Sequence, residues 1–508
     1  MRTLKSLFLI LFSAGTAWRW RLRAVAALAF SSWLGAAEDG GFQATGIKIV
    51  EPTATSATIW TRLTRDATRA ADDRPLPITQ IFDRTTGELL PLKNNAAYPN
   101  GRPVITFPTG TDLGSIRGAA IGTGGQTRVR YRAVGASGWT TTEWQSVGPS
   151  RDFTAMFPLA GLRPGTRHEV EVEGRRDESS PVSSTVTGGF VTAPAPETSA
   201  PVSFCVMTCQ QYEDRDRPDG FAIYRAMQAL RPDFFVNTGD AVYYDHGPVH
   251  ALNVDLARYH WARVFSWATL REFHRQAGSY FMKDDHDVLT NDSAPGARTG
   301  DFTFEEGLRV FHEQTGLGQP PYRTVRWGRH LQVWMVEGRD FRSPEGPAAN
   351  APHTIWGAPQ IAWLERTMAE SDATFRILIT PTPMVGPDRP QKDDNYANAG
   401  YREEGTRLRA LLGAQKNLFV FTGDRHWQYV SVDPVAGVEE WSVGAASDAH
   451  AGGWDESAPR AMHRFLRTKR GGFLSGLVGS AAGGATLTLR LHDTAGRVVF
   501  ESEKKSAK

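Results

Sequence analysis

The sequence predicts an α/β domain preceded by an all-β sandwich. Two patterns along the 508 residues predict it. From Gly46 to about Pro196, short segments alternate apolar and polar residues at period two, as strands with one wet face do. From Val202 onward the apolar runs stop alternating, and several follow helical patterns, as strands covered by helices on both faces do. The 50 glycines and 30 prolines supply the turns that so many short elements need.

The elements follow in order. In residues 1–37, a basic flank (Arg19, Arg21, Arg23) precedes an apolar run at 24–34 and the small residues Gly35, Ala36 and Ala37. That is the order of a secretory signal, so the protein is expected to be exported to a periplasm, the cell surface or the medium, with cleavage after Ala37. An earlier apolar run at 7–17 makes a membrane tether the alternative, although each run is short for a bilayer-spanning helix. Arg19-Trp20-Arg21 is not a twin-arginine pair and specifies no such route. Residues 43–195 form the expected sandwich: segments 54–63, 128–133 and 168–174 alternate, the last after the turn Arg163-Pro164-Gly165. The stretch 162–170 followed by 189–194 resembles the closing half of a fibronectin type III domain, and 72–127 is longer than that fold needs and reads as carrying insertions. Residues 193–200 have the composition of a linker.

The α/β domain is expected over residues 200–500. Its strands are predicted at 202–207, 233–237, 330–336, 375–379 and 417–421, with helical patterns at 220–230 and 357–368. Residues 485–493 and 497–501 read as a closing hairpin, and 503–508 as a solvated end. Residues 1–37 hold five basic residues and no acid; without them 52 basic residues face 55 acidic ones, a net of −3. That balance speaks against a broad nucleic-acid surface. Two cysteines cannot build a disulfide scaffold, and Cys205 and Cys209 lie too far apart along an extended strand to bridge.

Functional side chains in α/β sheets gather beyond the carboxyl ends of strands, and here the apolar runs end in metal-capable residues. The run at 202–207 leads to Cys209, that at 233–237 to Gly239-Asp240 and Tyr243, and Tyr280-Phe281-Met282-Lys283 to Asp284-Asp285-His286-Asp287 with Asn291-Asp292. The run at 417–421 leads to Gly423-Asp424-Arg425-His426. Carboxylate, thiolate, phenolate and imidazole together suit a pair of metal ions that share a carboxylate. Taken singly the members are weak: the chain has three Gly-Asp pairs, which turn chemistry explains, and a lone cysteine behaves as a small buried hydrophobe. Three carboxylates beside an imidazole are different, because such a cluster is costly unless a cation compensates it. Arg339 and Arg342 either hold a phosphate or pair with neighbouring carboxylates. His246 and His250 read as loop surface residues.

This ordered set resembles the alkaline phosphatase D (PhoD-like) branch of the calcineurin-like metallophosphoesterases. Glu337-Gly-Arg-Asp-Phe-Arg-Ser-Pro and the stretches 380–390 and 392–398 agree with it, and the resemblance covers about residues 200–455. It implies a four-layer α/β/β/α fold and a site of Cys209, Asp240, Tyr243, Asp285, Asp424 and His426. Asp240 would bridge the ions and Tyr243 would bind one as phenolate. His286 would sit by the leaving oxygen, with Asp285 and Asn291 beside it. Cys209 and Gln211 stand where many relatives have an Asp-x-His motif. Ferric iron with calcium is the implied pair, since phenolate and thiolate favour the first and hard oxygen donors the second. Asn395 and His450 match family stretches and receive no role. The implied activity is hydrolysis of a small phosphate mono- or diester by metal-activated hydroxide. A phospholipase-D-like phosphodiesterase and a non-hydrolytic phosphate-binding relative are the alternatives, the second opposed by the absence of any apolar residue at a ligand position.

Overall fold

A computed structural model describes residues 40–343, 353–389, 392, 394–453, 462–481 and 484–506. The expected leader, residues 1–37, lies outside them.

Two sheets carry the α/β region. In the nine-stranded sheet, Val202–Met207, Phe234–Asn237 and Gly278–Phe281 run parallel, and Gly472–Ala481, Gly484–Asp493 and Val498–Lys505 extend it antiparallel. The expected hairpin is thus two strands of a three-strand extension, and Glu503–Lys505 lie in its last strand, where Lys504 pairs with Glu439, instead of in a free tail. In the seven-stranded sheet, Leu331–Met335, Phe375–Thr380, Leu418–Thr422 and Glu439–Val443 run parallel. The sheets face each other across one apolar layer: Phe204, Val206, Phe234 and Val236 meet Val333, Ile377, Phe421 and Trp441. Helices cover both outer faces. Ile223, Tyr224 and Met227 of Ala222–Leu230 pack on Cys205 and Phe235, while Ile361 and Leu364 of Gly357–Ala369 and Leu408 of Arg402–Gly413 pack on Leu378 and Val420. Strands buried on both faces need apolar residues at every position, which is why their sequence runs do not alternate.

The helix ends follow local rules. Thr303 and Glu306 form a reciprocal capping box at Phe304–Thr315, and Asn253 caps Val254–Phe265 by accepting from Leu256 N at 2.9 Å.

The N-terminal β region is a sandwich, but one of its layers is not separate. Strands Ile47–Val50, Ser56–Arg62 and Thr154–Ala160 pack on Gly125–Ala133, Arg167–Arg175 and Ser184–Val191 through Ile49, Ile59, Phe157, Val129, Val170 and Val172. Ile47–Val50 also pairs in parallel with Gly278–Phe281, so these three strands complete the nine-stranded sheet. Buried Lys48 donates to Gln314 O at 2.7 Å and lies 3.5 Å from the Trp60 ring centre, and Trp60 Nε1 donates to Glu313 O at 2.9 Å. The linker at 193–200 therefore falls inside one compact unit that holds every described residue. The long stretch 72–127 contains a three-stranded sheet of Ile78–Asp83, Leu89–Leu90 and Gly101–Thr106. No helix among the described residues is long and apolar enough to cross a membrane.

Candidate metal centre

All the parallel strands of both sheets end on one edge, and the turns beyond them build the centre. Three candidate ligands leave their strands through a left-handed residue: Cys209, Asp240 and Asp424 have φ of 53°, 55° and 60°. Such a backbone costs about 1–3 kcal/mol at a residue with a Cβ and reverses the chain sharply, aiming the side chain back over the strand ends. The glycines before the two aspartates are needed for closeness. A Cβ on Gly239 would lie 2.8 Å from Asp284 N, and one on Gly423 would lie 2.4 Å from Thr238 Oγ1. Asp287 ties two of the turns together by accepting from Asp240 N at 2.6 Å, Asp284 N at 3.0 Å and Val242 N at 3.1 Å.

The donors converge on Asp240. Its Oδ2 is 3.2 Å from Cys209 Sγ and 3.2 Å from Tyr243 OH, and Tyr243 OH is 3.3 Å from His426 Nε2. Cys209, Asp240 and His426 form one group whose ligand atoms lie within 4.8 Å of one another; Asp240, Asp285 and His286 form another. Asp240 is the member common to both. Its Oδ1 is buried with no hydrogen-bond partner among the described residues. Burial raises the Asp240 carboxyl well above the usual range, with Asp285 and Asp284 adding to it against His286. Burial and Asp240 likewise push up the Cys209 thiol and the Tyr243 phenol. Three acids that oppose one another's ionisation, around an orphaned carboxylate oxygen, fit cations as the missing partner. Asp285 is held at about 2: burial works to raise it, but Arg339 and His286 prevail.

His286 is fixed through its other nitrogen. Nδ1 lies 2.6 Å from Asp245 Oδ1, and Asp245 Oδ2 accepts from Asn291 N at 2.8 Å. Burial opposes the charge on Asp245, yet His286 and His246 hold it well below the usual carboxylate range. An ionised carboxylate only accepts, so Nδ1 donates and Nε2 is the ring atom left for the cavity. Asp245 escaped the sequence reading although it stands two residues after Tyr243. His450 now has a place: Nε2 is 2.7 Å from Tyr243 OH and Nδ1 is 2.8 Å from Asp214 Oδ2. Asn395 also has one, donating to Asp388 Oδ2 at 2.7 Å and Asp394 Oδ1 at 2.6 Å.

One alternative is decided and one expectation is corrected. Neither Arg339 nor Arg342 lines the cavity, and of their two readings Arg339 takes the pairing with carboxylates. Arg339 is fully buried, with Nε 2.6 Å from Asp284 Oδ1 and Nη2 3.6 Å from Asp285 Oδ2, because adjacent buried carboxylates demand an internal cation. Arg342 is buried too, donating to Asp394 O and lying over the Tyr401 ring. His246 and His250 are not surface residues: His250 is buried, and His246 lines the cavity with its ring 5.2 Å from that of His286. The other expected residues (Asp424, His426, His286 and Asn291) line the same cavity, of about 360 Å3. Asp424 is paired with Arg425, which also reaches Asp388 at 2.9 Å and Asp394 at 3.4 Å.

The family model of PhoD-like phosphatases matches residues 204–445, the span that carries every one of these turns. Residues 204–445 belong to the PhoD-like phosphatase family. No curated protein matches the chain. The fold is similar to the solved structure of PhoD, with 15% identity and a TM-score of 0.66 over 92% of this chain and 89% of that one. It is also similar to the purple acid phosphatase PPD1 from yellow lupin (Lupinus luteus) seeds, with 12% identity and a TM-score of 0.54 over 92% and 96%. At such identities these likenesses concern the fold. The PhoD-like segment thus supplies Cys209, Asp240, Tyr243, Asp285, Asp424 and His426, while the cavity wall also includes Asn95 from the inserted stretch before it.

Proposed function

We propose that this protein is an exported, metal-dependent phosphoesterase that hydrolyses small phosphate mono- or diesters. The observation that carries the reading is Asp240, one buried carboxylate common to two donor groups and left with an unpartnered oxygen. Cys209, Tyr243 and His426 would hold ferric iron on one side of it, and Asp285 a calcium ion on the other, with Asp424 beside them; thiolate and phenolate suit the trivalent ion and carboxylates the harder one. When bound, such ions activate water and neutralise charge on phosphoryl oxygens.

The chain's own residues do the rest. Asp245 holds His286 so that Nε2 delivers a proton to the leaving oxygen. Arg339 holds Asp284 and Asp285 in place and, with His286, keeps Asp285 ionised, while burial raises the Asp284 carboxyl against it. The charged, apolar, small-residue order of 1–37 supports export, and the N-terminal sandwich is read as fibronectin type III-like. The test is hydrolysis of p-nitrophenyl phosphate and bis(p-nitrophenyl) phosphate by purified protein as isolated, after chelation, and after return of iron and calcium. Activity lost on chelation and restored by the ions is expected. Absence of hydrolysis with both ions bound overturns the reading.

A further inference from the structure

We infer that the cavity holds a second oxyanion subsite, centred on Arg389, for an acidic group on the part of the substrate that is not transferred. The inference rests on the phosphoesterase reading of the adjoining centre. Arg389 lines the same cavity as His286, Asp424 and His426. Its guanidinium carbon lies 5.5 Å from the Trp427 ring centre, and its side chain is 41% exposed. Among the described residues, the carboxylate paired with it, Asp388, is already engaged. Asp388 Oδ2 serves Arg425 Nη1 at 2.9 Å and Asn395 at 2.7 Å, while Oδ1 accepts from Arg389 N at 2.6 Å and lies 3.5 Å from Arg389 Nε. Among the described residues, nothing accepts from the two terminal nitrogens of Arg389. Lys392, the other cation of the wall, is by contrast bound to Asp292 at 3.0 Å and Asp394 at 2.7 Å.

The position is built. Buried Glu440 accepts from Met384 N at 2.6 Å, Val385 N at 2.9 Å and Gly386 N at 2.9 Å, pinning the turn that leads to Arg389. A guanidinium with an open fork, placed over an aromatic ring in the cavity wall, is matched by a phosphate or carboxylate in bidentate contact. The rest of the lining agrees: Asn95, His246 and Asn291 are polar, and Trp427 is the one large apolar side chain, so an acyl chain would find little to pack on.

The test measures binding by calorimetry to metal-loaded protein, using propylphosphonate, propane-1,3-diyl bisphosphonate and 4-phosphonobutyrate. The bisphosphonate is expected to bind roughly tenfold or more tightly than propylphosphonate, as a charge-assisted contact implies. Arg389→Gln should bring that ratio to within about twofold of one, and Arg389→Lys should keep part of it. A gain shared by 4-phosphonobutyrate marks a general oxyanion site and a gain limited to the bisphosphonate marks a phosphoryl site; both support the inference. Equal affinity of the three probes, or a preference that survives in Arg389→Gln, overturns it. Hydrolysis of p-nitrophenyl phosphate by the same samples separates the two readings. Turnover without the preference removes the subsite alone, and the preference without turnover removes the phosphoesterase reading alone.

Discussion

Replacing Asp240 by asparagine keeps the shape of the side chain and removes its charge, which separates a metal-bridging group from a structural one. In metal-free protein little should be lost. Oδ2 meets Cys209 Sγ and Tyr243 OH at 3.2 Å each, hydrogen bonds of about 0.5–1.5 kcal/mol apiece, which an amide oxygen still accepts. Oδ1 has no partner to lose. Because burial pushes this carboxyl up, the amide removes a desolvation cost. Metal-free Asp240→Asn should therefore melt no lower than the native protein. With ions at about a hundredfold excess over Kd, the native protein gains about 2.7 kcal/mol. At about 2.1 cal/mol/K of unfolding entropy per residue, a 508-residue chain has about 1 kcal/mol/K, so Tm should rise by about 3 °C. The variant should lose that rise, most of its bound metal and at least about a hundredfold in turnover, about 2.7 kcal/mol at the transition state. Calorimetric melting with and without ions, elemental analysis and p-nitrophenyl phosphate kinetics read all three. Near-native metal content and turnover would refute a shared carboxylate, and a metal-free Tm far below native would make Asp240 a structural residue.

Three further outcomes are expected. His286→Ala should lower turnover by roughly 10²–10⁴-fold while most metal stays bound, as measured by kinetics and elemental analysis; loss of the metals would make His286 a ligand. Protein loaded with ferric iron should be coloured, Tyr243→Phe should shift or bleach the band, and Cys209→Ser should weaken iron binding, whereas active, colourless, iron-free protein would refute the ferric assignment. His274, buried among Phe235, Phe265 and Phe273, has its pKa lowered to about 3 by burial and by Lys48. The unfolded chain thus binds the extra proton between pH 6.5 and 3, so stability is full above pH 6.5 and falls by up to about 1.4 kcal/mol per unit below it. His274→Phe should reduce the slope of urea-unfolding free energy against pH by that amount, and an unchanged slope would refute it.

The sequence by itself determined the central strands and most of the candidate ligand set. Strands buried on both faces leave unbroken apolar runs, and the turn at each carboxyl end is where Cys209, Asp240, Asp285, Asp424 and His426 stand. Those residues were legible because the chemistry sits within a few positions of its strand. The joining of the N-terminal sandwich to the nine-stranded sheet was not, since the Ile47–Val50 pairing with Gly278–Phe281 spans more than 200 residues and leaves no periodic trace. Nor did local pattern separate the arginines. Arg339 and Arg389 both follow strand ends, yet one is sealed against Asp284 and Asp285 while the other, among the described residues, pairs with Asp388 alone, itself held by Arg425. His246 and Asn95 line the cavity from loops with no motif of their own, and only the folded chain brings Asp245 to His286 and His450 to Tyr243. The candidate ligands are carried by local sequence because strand ends converge by topology. Which charge is paired inside and which lines the cavity depends on distances between segments remote in sequence, and those exist only in the tertiary structure.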